Sequence, residues 1–223
     1  MTPTPLPLPS PRRPVDTASL ARDLEGRPPD EIIRRAIDVT GGDLVLLASF
    51  ADVVLLDLAV TVAPDLPVVF LDTGFHFAET LETVRRAQAR LGLDLRVERP
   101  SPDAPDLWAV GTTACCAARK VAPMERALRG RAGWLSGLRR ADHAGREQVD
   151  VVERDRRGLL KFNPIAAWSD DDVEAYASER DLIIHPLRLE GYGSIGCWPC
   201  TTPGAGRDGR WAGQARTECG IHS

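Results

Sequence analysis

Hydrophobic and polar residues follow two different periods along this chain of 223 residues. Near-continuous apolar runs at 43–50 and 66–72 predict parallel strands that are buried on both faces. The apolar segment 51–63 is long enough for a buried helix, and 77–92 has the spacing of an amphipathic helix. The alternating segment "LDLRVER" at 93–99 predicts a third strand.

The same pattern continues through most of the remaining chain. Three further helices are predicted at 30–40, 117–130 and 170–181, and a fourth strand is predicted at 132–140. Pro123 is expected in the first turn of its helix, and Ser169 is expected as an N-cap. Alternation over about 180 residues predicts an α/β fold with an open, mostly parallel sheet and helices on both faces.

Ligands of such sheets bind beyond the carboxyl ends of the strands. The expected strand ends carry Ser49-Phe50, Asp72-Thr73-Gly74 and Arg139-Arg140. The side chains of "DTG" at 72–74 can hydrogen-bond a nucleotide, so this segment predicts a ligand loop, with a plain strand-ending turn as the alternative. A single DTG argues against an aspartic protease, which needs two such carboxylates.

Composition divides the chain into three regions. Residues 1–15 are proline-rich and are expected to form a disordered tail, and 16–185 hold the α/β domain. Residues 186–223 are rich in Gly, Pro and Cys without periodicity, and are expected to form a metal-pinned flap over the sheet. Within them, "GYGSIG" at 191–196 spells a dinucleotide fingerprint but runs into "CWPC" instead of opening a helix. Its glycines are therefore expected to turn the backbone beside Cys197.

Net charge and hydropathy exclude two classes of partner. The net charge of −4 argues against a general nucleic-acid binder, which is usually basic. The chain has no apolar run long enough for a transmembrane helix, and its first residues lack the apolar core of a signal peptide. A cytoplasmic protein with reduced thiols is expected.

The five cysteines divide into four and one. Cys115-Cys116 and Cys197-Cys200 form two pairs, and Cys219 stands alone. Zinc sites normally space paired cysteines by two to four residues, and adjacent side chains diverge. A four-iron cluster offers a separate iron to each thiolate, so the spacing favours iron–sulfur, with zinc and unliganded thiols as alternatives.

Basic residues are concentrated around these cysteines and the expected strand ends. They are Arg119, Lys120, Arg139, Arg140, Arg146, Arg207, Arg210 and Arg216. Such side chains suit a phosphate or sulfate ligand, and solvated surface charge is the alternative.

Cys219 lies within the last five residues, where a thiol is expected to be in water and mobile. Arg216 and His222 are expected to favour its thiolate, which could attack a bound electrophile. The segment "RWAGQARTE" at 210–218 could form a short helix. A spare surface cysteine and a fifth metal ligand are the alternatives.

Several longer motifs carry a family resemblance from about residue 31 to the end. They are "FLDTGFHFAET", "CCAARKVAP", "WLSGLRR", "NPIAAWSDDDV", "HPL", "GYGSIGCWPCT" and "GRWAGQARTECGIH". With them the chain resembles the assimilatory adenylyl-sulfate (APS) reductases, the iron–sulfur branch of the APS/PAPS reductase family. The cysteine pairs distinguish this branch from PAPS reductases, and "ASFAD" at 48–52 differs from the "SGGxDS" phosphate loop of other relatives.

The resemblance implies an adenine-nucleotide alpha-hydrolase-like fold and a 4Fe-4S cluster. The cluster ligands would be Cys115, Cys116, Cys197 and Cys200. Cys219 would be the catalytic nucleophile and form an S-sulfocysteine that thioredoxin reduces, releasing sulfite. The residues expected to bind adenylyl sulfate are Ser49, Asp72, Gly74, Lys120, Arg139, Arg146, Arg207 and Arg210. Lys120 would lie between cluster and substrate.

Two rival functions remain at this point. One is a PAPS reductase with a zinc-bound or empty cysteine site, and the other is a zinc-stabilised binding module. The sequence leaves a homo-oligomer open.

Overall fold

A computed structural model describes residues 15–212, 216 and 218–222. A six-stranded sheet, in the order β3-β2-β1-β4-β6-β5, forms its centre. The strands are β1 Leu44–Ala48, β2 Val68–Leu71, β3 Leu95–Glu98, β4 Gly133–Leu135, β5 Val152–Arg154 and β6 Leu160–Phe162. All neighbouring strands are parallel except β5 and β6, which pair antiparallel at one edge. The predicted α/β fold with a mostly parallel sheet is therefore confirmed.

Eight α-helices connect and cover these strands in the described part of the chain. They are α1 Thr17–Leu24, α2 Pro29–Thr40, α3 Val54–Val62, α4 Ala78–Leu91, α5 Leu107–Cys116, α6 Ala122–Ala127, α7 Asp170–Glu179 and α8 Pro186–Leu189. Helix α4 ends at Gly92, whose φ of 65° is the left-handed conformation that glycine adopts without a steric penalty. Helix α7 begins at Ser169 with the predicted cap, since the Ser169 hydroxyl accepts a bond from the Asp172 N–H.

Apolar side chains of the central strands divide between two cores. Leu44 and Leu46 of β1 belong to a large core with α2 and α3, whereas Val45 belongs to a smaller core with Met124 and Trp134. This alternation follows from the two-residue period of a strand. Both faces of β1 are thus buried, which is why its sequence is a continuous apolar run. No helix in the described ranges is long and apolar enough to cross a membrane.

Two predicted boundaries differ from the structure, and two strands were not predicted. The helix expected at 117–130 begins earlier, with α5, and a π-helical turn at Ala117–Val121 joins α5 directly to α6. Pro123 lies in the first turn of α6, as expected, although α6 continues directly from the π-turn. In that turn the Ala122 N–H bonds the Ala117 carbonyl five residues back. The strand expected at 132–140 is only three residues long, and the antiparallel pair β5 and β6 was not predicted.

Apart from α8 and a short 3₁₀ turn, the described residues after His185 are irregular, and they are held against the end of β2. The His185 ring lies 3.0 Å from the Thr80 hydroxyl of α4. The Trp198 N–H donates to the Phe75 carbonyl at 2.8 Å, and His76 forms an isolated bridge with Cys197. These contacts bring Cys197 to the carboxyl edge of the sheet. The proline-rich segment up to residue 14 lies outside the described residues, so its expected disorder stays a prediction.

Candidate active site

Two cysteine pairs that are distant in sequence line one cavity at this edge. Cys115 and Cys116 end α5, and Cys197 and Cys200 flank a short turn in the C-terminal segment. All four line the same small cavity, together with Thr73. The Thr73 hydroxyl lies 3.3 Å from the Cys197 sulfur. Tertiary structure thus assembles the predicted set of four thiols.

The donor set fits an iron–sulfur cluster in kind. Burial raises the pKa of the Cys116 thiol to about 11 and also raises the pKa of Cys115 and Cys200, so thiolates here require a cationic partner. Within the described residues, no three His, Cys, Asp or Glu side chains converge on one point as ligands of a single ion do. Four soft sulfur donors around a shared cavity suit a cluster that takes one thiolate per iron.

Lys120 lies in the π-turn, four residues after Cys116, and is only 9% exposed. Burial alone would lower its pKa, but the negative charge of the Cys197 and Cys219 thiolates outweighs burial and raises the pKa. The ammonium group is therefore charged and faces both a cysteine of the cavity and Cys219. π-Turns often mark functional positions because they change the direction of the side chains that follow.

Cys219 is buried, contrary to the expected solvent-exposed thiol. It packs with Cys116 and Trp211 in a small cluster. Burial would raise the pKa of Cys219, but the charge of Lys120, the backbone N–H of Ile221 and the charge of Arg210 together lower it. The thiolate is thus favoured in a site with little water.

His222 does not supply the positive charge that was expected of it. The residue is half-buried, and its ring stacks on Trp134 with the ring planes 14° apart. Burial, followed by the charge of Lys161, holds its pKa well below 6.5, so the ring is neutral. Arg216 instead donates to the Glu218 carbonyl and to the Thr113 hydroxyl, each at 2.7 Å. Lys120 and Arg210 provide the charge beside the thiol.

Three guanidinium groups surround the buried Trp211 ring. Arg210 lies 4.4 Å from the ring centroid, Arg216 5.5 Å and Arg207 5.6 Å. A Cβ at Gly196 would come within 2.4 Å of the Arg210 guanidinium, so only glycine leaves room for this side chain beside Cys197. In the described part of the chain, no Asp or Glu oxygen lies within 4.0 Å of a charged nitrogen of Arg210 or Lys120. The buried Lys120 and the half-buried Arg210 thus lack a carboxylate partner there.

Glu218, next to Cys219, is the carboxylate of a neighbouring ionic network. Its Oε1 lies 2.6 Å from Arg146 Nη2 and 3.0 Å from His143 Nε2, and its Oε2 lies 3.5 Å from Arg207. The Gly145 N–H donates to His143 Nδ1, so His143 Nε2 carries the proton that it donates to Glu218. Burial would raise the pKa of Glu218, but Arg146, His143 and Arg207 outweigh burial and lower it.

Arg139 is in a different electrostatic position. It pairs with Asp142 at 3.1 Å and with Asp170 at 2.7 Å, so two carboxylates already compensate its charge. Asp142 also pairs with Arg146, which links Arg139 to the Glu218 network. The substrate role of Arg139 stays a prediction.

Two of the basic residues that the sequence analysis grouped around the cysteines stabilise the fold. Arg140 binds both carboxylate oxygens of Glu25 in α1 and donates to the Val149 carbonyl. Arg119 donates to three backbone carbonyls, those of Thr73, Ala104 and Pro105. These two contribute to packing rather than to the group around Cys219.

The expected adenosine-binding residues lie at the ends of adjacent strands. Ser49 follows β1 and accepts a bond from the Ala51 N–H, at 3.4 Å. Asp72 follows β2, accepts from the Gly74 N–H at 3.0 Å and pairs with Arg99 at 3.2 Å. Gly74 has a φ of 77°, which a side chain rarely adopts. Their position at the carboxyl edge agrees with the expectation, and their ligand roles stay predictions.

Residues 43–203 match the phosphoadenosine phosphosulfate reductase domain. The chain belongs to this family. It is 44% identical to an adenosine 5'-phosphosulfate reductase of Mycobacterium tuberculosis over 194 residues, which cover 80% of this chain and 76% of that protein. It is 40% identical to the reductase of the same name from Mycobacteroides abscessus over 218 residues, 91% of either chain. The family predicted from the motifs is thereby confirmed.

Solved structures agree with the family. The phosphoadenylyl-sulfate (PAPS) reductase of Candida auris superposes with a TM-score of 0.73 and 27% identity, covering 83% of this chain and 96% of that one. An FMN adenylyltransferase of Candida glabrata superposes with a TM-score of 0.56 at 16% identity, covering 84% and 74% of the two chains, and shares the fold alone. The nucleotide alpha-hydrolase-like fold of this reductase family is thus confirmed.

Sequence reasoning missed several site residues of this reductase domain. Glu218 stands inside the quoted motif "ECGIH" but received no role, and His143, Asp142 and Trp211 were not selected. The sequence offers one signal, an acidic residue directly beside a candidate thiolate. The charge of such a carboxylate would disfavour the thiolate unless nearby cations paired with the carboxylate. The structure supplies those partners from two separate segments, one with His143 and Arg146 and the other with Arg207.

Proposed function

We propose that this chain reduces adenylyl sulfate to sulfite and AMP, with Cys219 as the nucleophile and thioredoxin as the reductant. Similarity to proteins named adenosine 5'-phosphosulfate reductase supports the substrate. The site geometry supports the roles of the individual residues.

The observation that carries the proposal is a pair of cations beside the Cys219 thiol, the buried Lys120 and the half-buried Arg210. Among the described residues no carboxylate pairs with either charge, so Lys120 and Arg210 gain most from an anionic ligand. The phosphosulfate of adenylyl sulfate has the matching negative charge. Arg146 and Arg207 lie in the adjacent network and would extend the anion site.

The first half-reaction is a sulfonate transfer. The Cys219 thiolate attacks the sulfur of adenylyl sulfate, a sulfur–sulfur bond forms, and the bond from sulfur to the phosphate oxygen breaks. AMP leaves with that electron pair, and Lys120 and Arg210 stabilise the charge that develops on its phosphate. The product is S-sulfocysteine at position 219.

The second half-reaction regenerates the thiol. A thioredoxin thiolate attacks the Cys219 sulfur, and sulfite leaves with the electron pair of the sulfur–sulfur bond. The second thioredoxin thiol then resolves the mixed disulfide and restores Cys219. Thioredoxin is oxidised to its disulfide and supplies both electrons.

Cys115, Cys116, Cys197 and Cys200 would hold a 4Fe-4S cluster in this proposal. When bound, the cluster supplies a fixed charge next to Lys120 and ties the C-terminal segment to α5. Lys120 remains the residue that faces both the cavity and Cys219.

The remaining substrate contacts follow the sheet edge. Ser49, Asp72 and Gly74 would line the adenosine pocket, because ligands of parallel sheets bind beyond the carboxyl ends of the strands. Arg139 would bind the substrate at the same edge of the sheet while it stays paired with Asp142.

Adduct formation tests the proposal. Wild-type protein incubated with adenylyl sulfate and no reductant should accumulate one sulfonate per chain, on Cys219, and reduced thioredoxin should release it as sulfite. Mass spectrometry of the digested protein locates the adduct. Cys219→Ser should bind adenylyl sulfate and release no sulfite.

Two controls sharpen the test. Cys200→Ser removes a thiol of the cavity without touching the nucleophile, and should leave an adduct, where one forms, on Cys219. PAPS offered in place of adenylyl sulfate should give little adduct. An adduct on another cysteine, or normal turnover by Cys219→Ser, contradicts the mechanism.

A further inference from the structure

The Glu218 carboxylate occupies a cationic pocket that resembles a substrate-anion site. One of its oxygens is bound by Arg146 through both Nε at 2.7 Å and Nη2 at 2.6 Å, and by His143 at 3.0 Å. Arg207 approaches the other oxygen at 3.5 Å. Charge-assisted bonds of this kind are what guanidinium groups form with carboxylate, phosphate or sulfate alike.

The same cations are the ones assigned above to the phosphosulfate. Arg146 is 8% exposed and also pairs with Asp142. Arg207 lies beside Arg210, and both guanidinium groups contact the Trp211 ring. A second anion cannot use the arginine groups that Glu218 holds without repelling its carboxylate at short range. Glu218 and the substrate anion therefore compete.

Glu218 is also joined covalently to the nucleophile. The Arg216 side chain fixes the Glu218 carbonyl at 2.7 Å, and the next residue is Cys219. Any displacement of the Glu218 side chain and backbone changes the position of the Cys219 sulfur. Binding of an anion and placement of the thiol are thus coupled by a single peptide bond.

We infer that Glu218 is a positioning residue that stands in for the substrate's anionic group on Arg146, His143 and Arg207, and that substrate binding displaces it and so frees the Cys219 segment. This inference rests on the proposed function, since it takes the phosphosulfate as the displacing anion. In this inference the Glu218 carboxylate competes with the substrate anion for the same arginine side chains.

The test is the affinity of adenosine diphosphate, a nucleoside diphosphate that carries adjacent anionic groups but no sulfur for the thiolate to attack. Isothermal titration calorimetry compares wild type, Glu218→Gln and Glu174→Gln. Glutamine keeps the size of residue 218 and removes the charge, so ADP should bind about fivefold to tenfold more tightly. Glu174 is exposed on α7, and its variant loses the same charge far from the network. That control should stay within about twofold of wild type.

A second measurement uses wild type alone, so it does not depend on how a variant folds. Hydrogen exchange of the backbone amides at 218–222 should accelerate when ADP is added, because Glu218 loses its partners. A purely structural Glu218 predicts weaker ADP binding in Glu218→Gln and slower exchange with ADP. Equal or weaker ADP binding by Glu218→Gln, or unchanged exchange in wild type, overturns this inference and leaves the proposed function standing. Absence of ADP binding by all three proteins overturns the proposed nucleotide site and this inference with it.

Discussion

At the residue scale, the site depends on charged side chains whose removal from water costs folding free energy. Lys120 is buried next to Cys116 and Cys219, and the negative charge of thiolates raises its pKa. Arg210 is half-buried against Trp211, and the loss of solvent there lowers its pKa. Each cation stabilises the Cys219 thiolate and would stabilise the departing AMP. Their loss should therefore affect chemistry more than folding.

Replacing Lys120 with methionine tests this. Methionine keeps most of the apolar stem and removes the charge, so kcat/KM for adenylyl sulfate should fall about 10- to 100-fold, as expected for the loss of about 1.5–3 kcal/mol. Steady-state kinetics measure the fall. Lys120→Arg, the matched variant, keeps the charge and should retain much more activity. Equal losses in the two variants would mean that shape and not charge is what the site requires.

At the element scale, the π-turn at Ala117–Val121 sets the direction of the cysteines relative to Lys120. Deleting one alanine of the Ala117-Ala118 pair should restore α-helical bonding and rotate α5 by about 100° relative to α6. The helix content should persist, since α6 keeps its packing on the sheet. Turnover should be lost, and Cys115 and Cys116 should become accessible to thiol reagents.

Circular dichroism, activity and thiol labelling read out these three effects. Ala117→Ser changes the same exposed position without changing the length of the turn, and should keep both the activity and the protection of the cysteines. If the deletion variant kept full turnover, the π-turn would have no part in arranging the site.

At the scale of the whole molecule, His185 links the C-terminal segment to the sheet domain. It is 1% exposed, bonds Thr80 of α4, and accepts a bond from the Leu187 N–H. Burial lowers its pKa to about 4. Between pH 6.5 and pH 4 the unfolded chain therefore binds a proton that the folded protein does not bind. The free energy of unfolding should fall as the pH falls through this range, by up to about 1.4 kcal/mol per pH unit for this one group.

His185→Asn should flatten this dependence. Asparagine can still accept the Leu187 N–H bond but does not titrate, so the difference in stability between pH 7 and pH 4.5 should shrink. Urea unfolding at the two pH values measures it. Because burial also lowers the pKa of His76 to about 4, some dependence should remain in the variant. An unchanged slope would mean that His185 is protonated in the folded protein.

The sequence by itself determined the strands β1 and β2 and the chemical type of the site. Continuous apolar runs specified β1 and β2, because a strand covered on both faces has no polar side. Ser169 specified the start of α7, because its hydroxyl caps a helix locally. The four cysteines of the cavity and Cys219 were recognisable by spacing alone.

Only the tertiary structure decided how these residues act together. It buried Cys219, which its place near the chain end did not predict, because Lys120 and Arg210 from other segments offset the cost of burial. It made His222 neutral, because loss of solvent and the charge of Lys161 lower its pKa. It also divided the arginines into those that anchor the fold, such as Arg140, and those around the thiol. The short strands β5 and β6 and the continuous passage from α5 to α6 were missed because they depend on contacts with distant segments. Contacts between distant segments decide the protonation and burial of the site residues and the pairing of the short strands. A local sequence pattern does not reveal those contacts.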